Sequence, residues 1–184
     1  MKKNVLSALF AIVSLCCNAQ FVLTPSAGLM TEDGPYTILR NGSESENYDA
    51  AKKAVEETIP GVEIGDLEYE KSFEASSEYK THRKLPGAFI ATDWNIKYKM
   101  KVESAEGKIF ISFEEIGYME VRRKGELMYN IYPTTGRNSM LGDIAGNHFI
   151  FNSKGEVAKG CKKLKELFED IANNIVKDIE RNLK

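Results

Sequence analysis

The sequence predicts an α+β fold in which a curved antiparallel sheet carries two helices on one face. Three patterns point to it. Trp94, Ile96, Tyr98, Met100 and Val102 are apolar at every second position, with Asn95, Lys97, Lys99 and Lys101 between them. That alternation marks a strand with one wet face, as antiparallel sheets have. A turn signal at Glu106-Gly107 then leads into a second strand, so the pair reads as a hairpin. Near the C-terminus Val157, Cys161, Leu164, Phe168, Ile171, Ile175 and Ile179 recur at three- and four-residue steps, which places them on one helical stripe. Helices set apart from the run of strands, rather than alternating with it, give an α+β domain.

The elements follow in chain order. Residues 1–19 read as a bacterial secretory signal peptide. Lys2-Lys3 is a basic start, Val5 to Cys16 is an apolar run, and Ala19 precedes the expected cleavage before Gln20. The run is too short to span a bilayer, which takes about 20 residues. Acylation of Cys16 or Cys17 is the rival reading, and the large residue before either cysteine fits it poorly. The expected localisation is therefore periplasmic or extracellular. Residues 20–35, with Pro25, Gly28, Gly34 and Pro35, read as an irregular N-terminal arm, and residues 36–184 as a single domain.

Tyr36 to Leu39 is a short strand ended by Asn41-Gly42. Ser43 and Glu46 have capping-box spacing, and Tyr48, Ala51, Val55 and Ile59 share a helical face that Pro60-Gly61 terminates. Residues 66–79 alternate, with Leu67, Tyr69, Phe73 and Ala75 facing one way and Lys71 intruding among them. Lys80 to Lys84 and Arg122 to Gly125 read as charged turns, and Ala88 to Ala91 as the start of a strand. From Ile109 to Val121 the apolar phase slips after Phe113, because Ile116 and Tyr118 are even-numbered; a β-bulge near Glu114-Glu115 accounts for it. Leu127 to Tyr132 is a strand, Pro133 to Asn147 a glycine-containing loop, and residues 156–182 the long closing helix.

This order is where a resemblance enters. The leader, the strand and first helix YTILRNGSESENYDAAKKAVEE, the hairpin NIKYKMKVESAEGKIFISFEEI and the closing helix resemble an uncharacterised secreted bacterial domain family (a domain of unknown function) with a TBP-like fold. The family occurs in secreted or periplasmic proteins of gut and oral bacteria. The resemblance covers residues 36–182, and Thr135-Gly136-Arg137-Asn138 is the nearest counterpart of the family's Gly-Lys-Phe-type segment. It implies the fold and carries over no catalytic residue, because the family has no established activity. TBP-like names a shape and implies no DNA binding.

Charge and chemistry narrow the function. The formal charge is −2, and loss of Lys2 and Lys3 with the leader makes it −4, so nucleic acid is a poor partner. His82 and His148 are the only histidines and neither has a His or Cys at ligand spacing, so no metal and no cofactor is expected. Nucleophile-elbow, P-loop and dinucleotide fingerprints are absent from the sequence. Glu114 and Glu115 are adjacent on a strand, so they face opposite sides and cannot flank one bond. Cys161, the one cysteine after the leader, sits on the apolar stripe and reads as a core residue.

The expectation is a non-enzymatic exported module that binds a protein or envelope component. Its best candidate site is Tyr129, Tyr132, Arg137, Asn138 and His148, which gather polar-tipped groups around a loop. The two basic clusters are a lesser candidate for an anionic ligand. The alternative function is a carrier of small apolar ligands, by analogy with helix-grip proteins, with Trp94, Tyr98, Met100 and Phe113 lining a pocket between the sheet and the last helix.

Overall fold

The computed structural model describes residues 20–25, 28–84, 91–123, 127–132 and 148–183, without side chains for 83–84, 91–94, 115–123, 127–132 and 148–149. Described in chain order are β1 (Val22–Thr24), β2 (Gly28–Met30), β3 (Tyr36–Leu39), α1 (Glu44–Thr58), β4 (Glu63–Glu68), β5 (Ser72–Lys84), β6 (Ala91–Ala105), β7 (Lys108–Arg123), β8 (Leu127–Tyr132), β9 (His148–Phe149) and α2 (Lys162–Asn182). The main sheet has seven strands in the order β4-β5-β6-β7-β8-β9, with β3 paired to the start of β7. Every pairing is antiparallel except β8 with β9, which is parallel. An antiparallel sheet was the expectation, and the two-residue pairing of β9 with β8 is the departure from it among the described strands.

The helices cover one face of this sheet. Ile96, Tyr98, Met100 and Val102 of β6 and Ile109, Ile111 and Phe113 of β7 are buried, as their alternation requires. The opposite face carries ion pairs such as Lys99–Glu74 at 3.1 Å and Lys97–Glu78 at 3.8 Å. The expected face of α1 is buried, with Tyr48, Ala51, Val55 and Ile59, and so are Leu164, Phe168, Ile171 and Ile179 on α2. Ile175 is partly buried, and Val157, expected on the same stripe, precedes the helix and is 38% exposed. Asn182 of α2 donates to Thr58 of α1 at 2.9 Å, tying their C-terminal ends together.

The β6–β7 hairpin closes in two residues, Glu106 and Gly107, with Ala105 opposite Lys108. Gly107 has φ of 74°, the left-handed conformation that such a tight reversal needs. The phase slip after Phe113 is present as two irregularities. Met100 pairs with Phe113 and Lys99 with Glu115, which leaves Glu114 as an extra residue; Tyr98 pairs with Ile116 and Lys97 with Tyr118, which leaves Gly117. The first irregularity puts Ile116 opposite the buried Tyr98, as the slip requires. The second, which was not expected, puts Tyr118 opposite Lys97 and Met119 opposite the buried Ile96, so it reverses the phase again.

Several elements differ from the expectation. Residues 66–79 are two strands and a turn, because Glu70 adopts φ of 53°. The intruding Lys71 marks that break: Phe73 and Ala75 are buried, whereas Leu67 and Tyr69, before the turn, are 53% and 81% exposed. Lys80 to Lys84 and Arg122-Arg123 are strand, because β6 supplies a ladder partner for each of Lys80 to Lys84, and β8 for Arg122 and Arg123. The closing helix begins at Lys162 instead of 156. Asn152 holds the preceding segment in a turn, its side chain accepting from the backbone of Lys154 and Glu156 at 2.9 and 3.0 Å, and Val157 pairs with Phe151. Cys161 is the N-cap of that helix and is buried, with its thiol pKa pushed up by burial.

The N-terminal arm is ordered rather than irregular. β1 and β2 form an antiparallel hairpin, Val22 opposite Met30, and Phe21, Leu23 and Leu29 join the core. Their alternation with exposed Val22 was legible only once a partner surface existed for it. The leader residues, 1–19, lie outside the described residues.

Candidate functional site

Strand pairing gathers the chemistry-bearing segments at one end of the sheet. Four consecutive rungs run across β5, β6, β7 and β8. They are His82–Asp93–Arg122–Met128, Thr81–Trp94–Val121–Tyr129, Lys80–Asn95–Glu120–Asn130 and Tyr79–Ile96–Met119–Ile131. His148 of β9 continues the last rung beside Ile131, and Phe149 pairs with Tyr132. The two basic clusters, some forty residues apart in sequence, therefore flank the same few residues of β6. Tyr129, Tyr132 and His148 of the expected site fall on the adjoining strands, and so does Trp94 of the alternative set. Arg137 and Asn138 lie outside the described residues. The convergence follows from register, and a one-residue slip of any of these strands would turn its residues to the opposite face.

The other members of the alternative set lie in the core. Tyr98, Met100 and Phe113 are buried. The Phe21 ring meets Phe113 edge-on at 5.0 Å and stacks on Tyr36 at 6.1 Å, and Tyr98 lies 6.1 Å from Phe113. Burial pushes the Tyr98 hydroxyl pKa up, with a hydrogen bond from Ser77 opposing it. The arm thus lays its own aromatic ring on the surface where a carrier would seat a ligand.

The arm is held by a polar row on α2 that sequence reasoning missed. Asn173 accepts from the Phe21 N–H at 2.8 Å and donates to the Phe21 carbonyl at 3.1 Å. Glu169 accepts from the Leu23 N–H at 2.8 Å and also pairs with Lys165. Glu180 accepts from the Tyr36 hydroxyl at 2.9 Å. Residues 169, 173 and 180 share a helical face beside the apolar stripe, and that spacing was the available signal.

A second missed cluster joins α1 to the edge strand β4. The Tyr48 hydroxyl donates to Asp66, and Lys52 donates to Asp66 at 2.9 Å and to the Tyr48 oxygen at 3.3 Å. Burial and then the Asp66 carboxylate push the Tyr48 pKa up. Asp66, followed by Tyr48, pushes Lys52 up, and the Tyr48 and Lys52 hydrogen bonds hold Asp66 down. Each group is fixed in its resting charge state. A proton-transfer group needs a pKa moved toward neutrality, so this cluster is a latch. Among the described residues no three His, Cys, Asp or Glu side chains gather as a metal site would require, and no helix is long and apolar enough to cross a membrane.

No family model matches the chain, and no curated protein matches it. Two solved structures share its architecture. A DUF4468 family protein from Bacteroides ovatus superposes with a TM-score of 0.55 at 13% identity, over 88% of this chain and 92% of that one. A TBP-like protein from Parabacteroides distasonis gives a TM-score of 0.50 at 14% identity, over 80% and 90%. At these identities the likeness is one of fold, and the fold is TBP-like.

Proposed function

We propose that the chain is exported, that its leader is removed between Ala19 and Gln20, and that the mature domain is a non-enzymatic module which binds an envelope component through the far end of its sheet. The observation that carries the binding site is the convergence of Lys80–Lys84, Arg122-Arg123, Trp94, Tyr129 and His148 on adjoining rungs. Successive rungs present opposite faces, so the Trp94–Tyr129 rung and the rungs of Lys80 and of His82 and Arg122 belong to the two faces of one sheet end. The shared end is the part proposed for recognition, as strand ends on a rigid scaffold are where binding concentrates.

The export reading rests on the basic start, apolar run and Ala19 of the leader. Gln20 is exposed and Phe21, the next residue, is 2% exposed. Phe21 is the first core residue among those described, so cleavage before Gln20 leaves the described core whole. The non-enzymatic reading rests on the sequence, in which no nucleophile-elbow, P-loop or dinucleotide fingerprint occurs. A surface site is favoured over an interior one because Phe21 occupies the face of Phe113.

The test is site-specific photocrosslinking in the producing cell. A crosslinking residue replaces Tyr129 in one version of the full chain and Lys53, on the wet side of α1, in another. A discrete envelope-derived adduct from position 129 and none from position 53 is the expected result. Equal labelling at both positions, or none at 129, overturns the site. A native mass that exceeds the denatured mass by a small-molecule increment would bring back the carrier reading.

A further inference from the structure

We propose that Gln20, once exposed as the mature N-terminus, is a modification site: it closes on itself to a pyroglutamyl lactam, and this cap protects the first anchor of the core. The inference rests on the cleavage proposed above. The chemistry is internal to one residue. The α-amine of Gln20 attacks its own side-chain carboxamide carbon, a five-membered ring forms through a new C–N bond, and the carboxamide nitrogen leaves as ammonia. No oxidant or co-substrate is needed. An α-amine titrates at about 7.7–8.0, so a usable fraction is unprotonated near neutral pH.

The geometry leaves this reaction free and makes its outcome matter. Gln20 is exposed, so its side chain has room to fold back. The ring uses only atoms of residue 20, so the Phe21 N–H and carbonyl stay on Asn173 at 2.8 and 3.1 Å. Most domains tolerate trimming of their first residues because those residues are loose. Here the second residue of the mature chain is Phe21, stacked on Tyr36 and set edge-on against Phe113. An aminopeptidase that removed two residues would take out a core ring. A lactam removes the free amine that such an enzyme requires.

The experiment uses the full chain with its own leader, recovered from the envelope of its own host and measured intact. The expected mass is that of Gln20–Lys184 less about 17 Da, the ammonia lost on ring closure. That mass should be unchanged by a broad-specificity aminopeptidase, whereas the processed Gln20→Ala protein is shortened by it. The unmodified Gln20–Lys184 mass, or trimming of the wild type at the rate of the variant, overturns the lactam and leaves export standing. A chain that starts at Met1 or at any other residue overturns both.

Discussion

The two helices lie on the same sheet and are held in opposite ways. α1 is fixed at its ends. Ser43 and Glu46 form a complete capping box, with the Ser43 N–H donating to Glu46 at 2.8 Å and the Glu46 N–H to Ser43 Oγ at 3.3 Å. One turn on, Asn47 is buried and shares its two amide hydrogens among the carbonyls of Arg40, Gly42 and Ala105, while its oxygen accepts from Arg40 at 2.7 Å. Gly42 lies close over this hub; a Cβ there would sit 3.1 Å from Asn47 Oδ1. α2 has no side-chain cap hydrogen bond and no acid in its first turn. It is fixed along its flank, by Glu169 and Asn173 on the N-terminal arm and by Glu180 on Tyr36 of β3. A helix with weak ends can be placed by its side when a strand is laid against it, and the price is dependence on a distant piece of chain.

The strongest way to break this contrast is Phe21→Ala. Removing a fully buried phenylalanine costs about 3–5 kcal/mol. The loss should appear as a lower denaturation midpoint and as faster amide exchange at Phe21 and Leu23, the two amides that α2 accepts. Amides near the α1 cap should slow or speed only with global stability. Equal local loosening at both helices would mean that flank and end anchoring are not separate.

Next in size is Asn47→Ala. It takes the Asn47 donor from the part-buried carbonyls of Arg40 and Ala105, while the Gly42 carbonyl keeps the Gly107 N–H at 3.0 Å. An unsatisfied buried group costs about 1–3 kcal/mol, and water entry limits the sum, so a loss of about 3 kcal/mol is expected in urea unfolding. A loss below about 1 kcal/mol would show that the hub is dispensable. Ser43→Ala should cost about 1 kcal/mol, the usual worth of an N-cap, with fraying confined to the first turn of α1. An unchanged midpoint would remove end capping from the contrast.

The same contrast explains what was legible in the sequence. The α1 box is a local signal, four residues long, and Ser43 and Glu46 were read from spacing alone. The seat of the arm on α2 was not, because Phe21 and Asn173 are 152 residues apart and Leu23 and Glu169 are 146 apart. The hairpin β6–β7 and its slip were legible because period-2 alternation reports burial directly. The break at Glu70 was not, since a non-glycine residue at positive φ carries no composition signal. The candidate site divides likewise. Tyr129, Tyr132 and His148 stood out as residue types, but their meeting with Lys80–Lys84 and Arg122 follows from strand register, which pairs segments by partners remote in sequence.

The smallest expected effect sharpens the comparison most, because it is local to one edge. The Tyr48–Lys52–Asp66 latch ties β4 to α1. Asp66 is held below its ordinary 3.8, so its contribution is present above that value and is lost as pH falls through its folded pKa. Tyr48 and Lys52 are raised above 10.0 and 10.5, so their contribution is present below those values and is lost as pH rises through the folded ones. Protection of the Glu63–Glu68 amides, corrected for intrinsic exchange, should therefore be highest between about pH 4 and pH 10 and fall on both sides. Glu46 is also lowered, chiefly by the Ser43 backbone N–H, so global unfolding in acid mixes cap and latch; only the β4 amides separate them. Asp66→Asn should abolish the acid limb and keep an alkaline one, because burial, ahead of Asp66, is the first cause of the Tyr48 shift. An acid limb that survives the substitution would assign the pH response of this edge to the cap.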